Sequence, residues 1–122
     1  MSCLFNSMSH FFNEPPQQIR NKICDYLQEN KPIIEGLETS EILQMESNNY
    51  IQNMRSPNTW GGAIEIQAAC NIWNVQINVL NYRDGNRNGN NVIEFLPISR
   101  VDNTPRLIRV YWTGGHYEPI RE

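Results

Sequence analysis

Two side chains near opposite ends of this 122-residue chain have types that together suit one kind of chemistry. Cys3 stands just before an apolar run, and His116 follows Gly114-Gly115 close to the other end. A thiol is a weak nucleophile until a base removes its proton, and an imidazole can take that proton and later give it to a leaving amine. If the fold brings Cys3 and His116 together, the pair predicts a thiol hydrolase.

Glu118 is the candidate for a third catalytic role. On an extended segment it points to the same side as His116, because it lies two residues further along the chain. A group that binds the second imidazole nitrogen fixes the tautomer of the ring. The other histidine, His10, lies about two turns into a predicted helix, and we interpret it as a surface or core-edge residue.

The position of Cys3 distinguishes it from the two other cysteines. Apolar residues recur at spacings of three and four over residues 3 to 12, which predicts a helix that begins at Cys3. Unpaired N–H groups and the helix dipole favour a thiolate there, although a small buried hydrophobe at a chain end is an equally good interpretation of this stretch alone. Cys24 and Cys70 lie along apolar helix faces, so we expect both to be structural.

The elements that must position these residues divide into helices first and strands later. This order predicts an α+β fold in which the helices pack on a small, mostly antiparallel sheet. The Asn- and Gly-rich segment 85–91 predicts a turn or hairpin loop. The predicted helices cover residues 3–12, 15–29, a stretch from 39 that is broken near 47–48, and 63–73; the predicted strands cover 75–80, 92–98, 107–112 and 116–120.

Composition narrows the class of protein. The length suits one hydrophobic core, which predicts a single domain over residues 1–122. A net charge of −3 argues against a nucleic-acid partner, and the lack of a long apolar run argues against a membrane partner. The sequence has no basic-then-apolar leader, so we expect free thiols and a cytoplasmic location, with the nucleus as a second location. The cysteines lack zinc-type spacing, so we expect no metal, and we expect no cofactor. We also expect a monomer.

Four blocks of sequence resemble the ovarian-tumour (OTU) domain cysteine proteases, in the same order as in that family. The first is a cysteine-bearing helix, and the second is a tryptophan and two glycines that lead into a helix carrying a glutamate. A short strand and a terminal histidine block follow. The blocks are residues 3–9, residues 60–68 with Tyr50 and Met54 before them, residues 77–79, and residues 115–120.

The resemblance implies a papain-like cysteine peptidase fold of OTU type. It also implies deubiquitinase activity: hydrolysis of isopeptide or peptide bonds after the C-terminal glycine of ubiquitin, polyubiquitin or a ubiquitin-like protein. It assigns the nucleophile to Cys3, the general base to His116 and the third position, often Asp or Asn in the family, to Glu118. The segment Trp60-Gly61-Gly62 would shape the active-site floor or helix entry, or else supply core and turn residues, and Glu65 would be structural.

This sequence departs from the family pattern before the cysteine. Family members usually carry an Asp-Gly-Asn-like loop there, whereas only Met1 and Ser2 precede Cys3. The sequence is then either a fragment or shortened product, or its α-amino group favours the thiolate in place of the loop. Two other functions stay open: an OTU-like module that binds ubiquitin but cleaves poorly, and a viral protease that also processes a polyprotein. For the arginine-bearing tail of ubiquitin, the candidate acidic residues are Glu38, Glu41 and Glu46.

Overall fold

The computed structural model describes residues 3–81, 92–98 and 105–120 of the chain. The predicted Asn- and Gly-rich loop at 85–91 lies outside the described residues. Met1 and Ser2 also lie outside them, so the structure does not bear on the hypothesis of an activating α-amino group. The elements, in chain order, are α1 (Cys3–Phe12), α2 (Pro16–Gln28), α3 (Thr39–Glu46), α4 (Tyr50–Met54), α5 (Ala63–Trp73), β1 (Val75–Asn81), β2 (Val92–Phe95), β3 (Arg106–Trp112) and β4 (Tyr117–Pro119).

The four strands form one mixed sheet in the order β2-β1-β3-β4. The outer pairs β1–β2 and β3–β4 are antiparallel, and the central pair β1–β3 is parallel, with Ile77 opposite Ile108 and Val79 opposite Val110. Alternate residues of a strand share one face, so these four apolar side chains lie on the same face of the sheet. All four are buried. The α+β prediction is confirmed, and the parallel central pair is a feature that the sequence pattern did not show.

Asparagine ends the two helices that matter most for the candidate site. Asn13 after α1 has a φ of 56° and Asn74 after α5 has a φ of 52°, both in the left-handed region that asparagine tolerates better than most residues. The Asn74 N–H donates to the Cys70 carbonyl, and β1 begins at the next residue. The predicted break in the third helical stretch is also present, between Glu46 and Tyr50.

The core lies between the helices and one face of the sheet. Buried apolar side chains of α1, α2, α5, β1 and β3 form one cluster there, in which α5 packs on β1 and α2 packs against both α1 and α5. Leu4 and Phe5 of α1 are 1% and 0% exposed, which fixes the helix that carries Cys3 against the rest of the molecule. None of the helices in the described residues has both the length and the apolar character needed to cross a bilayer.

Candidate active site

A cavity of about 780 Å³ lies between α1 and the β3–β4 hairpin. One wall is a face of α1, and the other is made by β4 and the residues on either side of it. Cys3 and His116 both line this cavity, although they come from opposite ends of the sequence. The lining residues are Cys3, Asn6, Ser7, His10, Tyr111, His116, Tyr117, Glu118, Pro119 and Ile120.

Cys3 is the accessible thiol of the three. It is the first residue of α1 and is partly exposed, and its carbonyl oxygen accepts a hydrogen bond of 3.0 Å from the Ser7 hydroxyl. Cys24 and Cys70 are buried, as expected for structural cysteines. Burial raises the pKa of Cys24 to about 11 and that of Cys70 to about 12, so both stay protonated at neutral pH and are poor nucleophiles.

The turn between β3 and β4 places His116 at the cavity. The Thr113 N–H donates to the His116 carbonyl at 3.1 Å and closes the turn. Gly114 within it has a φ of 102°, a conformation that favours glycine. His116 is exposed, whereas the next residue, Tyr117, is half-buried. Burial, and secondarily the nearby Cys3, raises the pKa of the Tyr117 hydroxyl, so this wall of the cavity carries a neutral phenol.

Glu118 lines the same cavity as His116, but its carboxylate is engaged by another group. It accepts a hydrogen bond from the hydroxyl of Tyr111, the residue opposite it in the β3–β4 pair. Within the described residues, no hydrogen bond joins the Glu118 carboxylate to the His116 ring. The role of Glu118 as the group that orients His116 therefore stays a prediction.

His10 lies closer to the candidate chemistry than its sequence position suggested. We expected a surface or core-edge residue; it is exposed, as a surface residue should be, but it also lines the cavity that contains Cys3 and His116. A spacing of seven residues from Cys3 places it on the same helix face, two turns along. That spacing is the signal in the sequence that could have placed His10 in the site.

Gly61 sets the distance between α1 and the segment that enters α5. A Cβ atom at Gly61 would lie 2.8 Å from Leu4 Cδ2 and 3.0 Å from two ring atoms of Phe5. Both side chains are buried and cannot swing away into solvent. The lack of a side chain at Gly61 therefore lets the backbone approach Leu4 and Phe5 closely, on the helix that carries Cys3.

The substitution Gly61→Ala should destabilise the fold by about 1–3 kcal/mol, because the added methyl group overpacks a filled core. Gly62→Ala is the matched control, since a Cβ at Gly62 meets no atom within 4 Å. Urea unfolding of the two variants measures the difference. Equal unfolding midpoints for both variants would show that α1 does not depend on the absence of a side chain at Gly61.

Glu65 is structural, as expected. It is 1% exposed, and its carboxylate accepts hydrogen bonds from the Tyr50 hydroxyl at 2.6 Å and from the Gly62 N–H at 2.7 Å. Burial raises the pKa of the Glu65 carboxyl, while these donors and the nearby Arg20 act in the opposite direction. The same glutamate thus holds the start of α5 and the adjoining α4.

Trp60 is not a core residue, because it is 53% exposed. It lines a second cavity of about 450 Å³ together with Glu46, Tyr50 and Glu65. Of the three acidic residues considered for a basic peptide tail, Glu46 is the one found in this cavity; the Glu38 carboxylate instead accepts a hydrogen bond from Asn30.

In the described parts of the chain, no three His, Cys, Asp or Glu side chains are grouped so that they could hold a metal ion.

Comparison with known proteins places this site in a family. The family model of the OTU-like cysteine proteases matches residues 2–117, which include Cys3 and His116. The ubiquitin thioesterase otu2 of Schizosaccharomyces pombe is 30% identical over 133 residues, and the OVARIAN TUMOR DOMAIN-containing deubiquitinating enzyme 9 of Arabidopsis thaliana is 28% identical over 124. The alignments cover 98% of this chain but 42% and 32% of these relatives, so the chain spans less than half of their length.

Solved structures agree with this assignment at the level of the fold. A structure of an ovarian tumor (OTU) domain in complex with ubiquitin has a TM-score of 0.73 and 21% identity over 97% of this chain and 62% of that chain. An OTU deubiquitinase from Wolbachia pipientis wMel has a TM-score of 0.62 and 20% identity, and the match covers 99% of this chain and 82% of that chain. The OTU-type α+β fold is confirmed, and the chain belongs to the family of OTU-like cysteine proteases.

Proposed function

We propose that this chain is a deubiquitinating cysteine protease, which hydrolyses isopeptide or peptide bonds after the C-terminal glycine of ubiquitin or a ubiquitin-like protein. The observation that carries the proposal is the cavity lined by both Cys3 and His116. Cys3 is the accessible thiol, and His116 is an exposed imidazole on the opposite wall. These are the two groups that thiol-dependent acyl transfer needs.

The proposed reaction has two halves. The Cys3 sulfur attacks the carbonyl carbon of the terminal glycine while His116 takes the thiol proton. The C–N bond then breaks, His116 gives the proton to the departing amine, and a thioester remains on Cys3. Water then attacks the thioester carbonyl carbon while His116 takes its proton. The C–S bond breaks, His116 returns the proton to the Cys3 sulfur, and the glycine carboxyl group leaves and ionises in water.

The family and its members support the choice of substrate. The relatives named above are a ubiquitin thioesterase and a deubiquitinating enzyme, and one of the similar OTU domains was solved in complex with ubiquitin. We also propose a location in the cytoplasm, and in the nucleus as well; free cysteines are compatible with this proposal, because reducing compartments keep thiols in that form. A monomer with a single domain over residues 1–122 stays a prediction.

A panel of di-ubiquitin linkages tests the proposal. The chain is expected to cleave at least one linkage, Cys3→Ala is expected to cleave none, and Cys24→Ala, which removes a buried thiol outside the cavity, should retain cleavage. Binding of di-ubiquitin by the native chain without cleavage would instead favour a ubiquitin-binding module. Cleavage by Cys3→Ala at the native rate would refute a Cys3-dependent mechanism.

A further inference from the structure

Tyr111 contributes a hydroxyl group to the cavity that contains Cys3 and His116. This hydroxyl donates a hydrogen bond to the Oε2 atom of Glu118. The two residues are direct partners in the antiparallel β3–β4 pair, so their side chains stand next to each other on one face of the sheet. The contact therefore follows from the register of the strands.

The backbone at Tyr111 is held on both sides. Tyr111 is opposite Leu80 in the parallel pair with β1 and opposite Glu118 in the pair with β4. The residue before it, Val110, is 2% exposed and anchors β3 in the core. Glu118, in contrast, is exposed and lies on the short edge strand β4. The fixed member of the pair is Tyr111, and the member that needs to be held is Glu118.

A glutamate that orients an imidazole needs such a restraint. Its side chain has one more rotatable bond than that of an aspartate, and an exposed carboxylate samples several rotamers. A carboxylate has two acceptor oxygens, so Oε2 can bind Tyr111 while Oε1 remains for an imidazole N–H.

We propose that Tyr111 is a positioning residue, which holds the Glu118 carboxylate at the wall of the cavity so that its second oxygen can accept the ring N–H of His116. This inference rests on the proposed function. Tyr111 takes no proton and makes no bond to substrate in the reaction. It acts by limiting the positions of the group that fixes the His116 tautomer.

Tyr111→Phe tests the inference, because it removes the hydroxyl and keeps the ring. The substrate is ubiquitin with a fluorogenic amide at its C-terminus. On this substrate kcat should fall about fivefold, which corresponds to the net free energy of one ordinary hydrogen bond. KM should change by less than about twofold, because ground-state binding of ubiquitin is not affected. In a Glu118→Ala background the same change should have no further effect on kcat, since the two residues act as one unit.

Tyr26→Phe is the matched control. It also removes a phenol hydroxyl, here one that donates to the Pro32 carbonyl outside the cavity, and it should leave kcat unchanged. A native kcat in Tyr111→Phe, a change in KM alone, or an equal loss with and without Glu118 would overturn the positioning role. If the native chain lacks turnover that depends on Cys3, the proposed function fails together with this inference. If it has such turnover, the tyrosine variants test the positioning role alone.

Discussion

Replacing His116 by alanine is expected to lower kcat for a ubiquitin C-terminal amide by about 10²–10⁴-fold, the usual contribution of a general acid–base. Without the imidazole, the Cys3 thiol has no base in the first half of the reaction, and the leaving amine has no acid. KM should change little, because the ring moves a proton and is not proposed to hold ubiquitin. Steady-state hydrolysis of the fluorogenic amide measures both constants.

His10→Ala is the control for this prediction, since His10 is a second exposed imidazole in the same cavity. It lies on α1 with Cys3, whereas His116 lies on the opposite wall. The expected result is a kcat close to that of the native chain. If His10→Ala lost activity and His116→Ala kept it, the general base would have to be assigned to α1 instead of the turn before β4.

The second large effect is expected for stability, at Arg20. This arginine is 0% exposed; its guanidinium lies 4.1 Å from the centre of the Phe5 ring and donates to the Met54 carbonyl at 2.7 Å. Its charge also interacts with that of Glu65. Arg20→Met should lower the free energy of unfolding by about 1.5–3 kcal/mol, because the buried Met54 carbonyl loses a charged hydrogen-bond donor and the Phe5 ring loses the guanidinium beside it. Urea unfolding at pH 7 measures this loss.

Arg55→Ala is the matched control, because Arg55 forms a salt bridge of 2.8 Å to Asp25 at the surface. Such exposed pairs contribute about 0.2–1 kcal/mol, so this variant should remain close to the native chain. Equal losses in the two arginine variants would contradict the buried role of Arg20.

The loss in Arg20→Met should also depend on pH. Burial already raises the pKa of Glu65 above its value in the unfolded chain, and removal of a nearby positive charge raises it further. A raised carboxyl pKa means that stability is fully present below the unfolded pKa of about 4.3 and is lost as pH rises through the folded pKa. The deficit of the variant should therefore be smaller near pH 4 than at pH 7.

The order of elements was predictable because periodicity is a local property of the sequence. The apolar spacing of residues 3–12 placed α1, and Asn74 marked the end of α5 and the start of β1. The accessible Cys3 and the buried Cys24 and Cys70 followed from their positions relative to helix faces. Each of these inferences needs only neighbours along one element.

Contacts between elements were harder to predict, since a pattern along one strand or helix does not identify its partner. The parallel β1–β3 pair and the hydrogen bond from Tyr111 to Glu118 both depend on strand order and register. Arg20 has spacings of four and seven from Cys24 and Leu27 and so lies on the apolar face of α2, although arginine is mostly exposed in folded proteins. Trp60 shows the reverse, a large aromatic side chain that the fold leaves half exposed.

The most direct test of Cys3 as the nucleophile is a covalent one. Ubiquitin with an electrophile at its C-terminus is incubated with the chain, and the modified residue is located by tandem mass spectrometry. The expected result is one adduct, on Cys3, that is lost in Cys3→Ala even though Cys24 and Cys70 remain. An adduct on Cys24 or Cys70, or no adduct on the native chain, would contradict it.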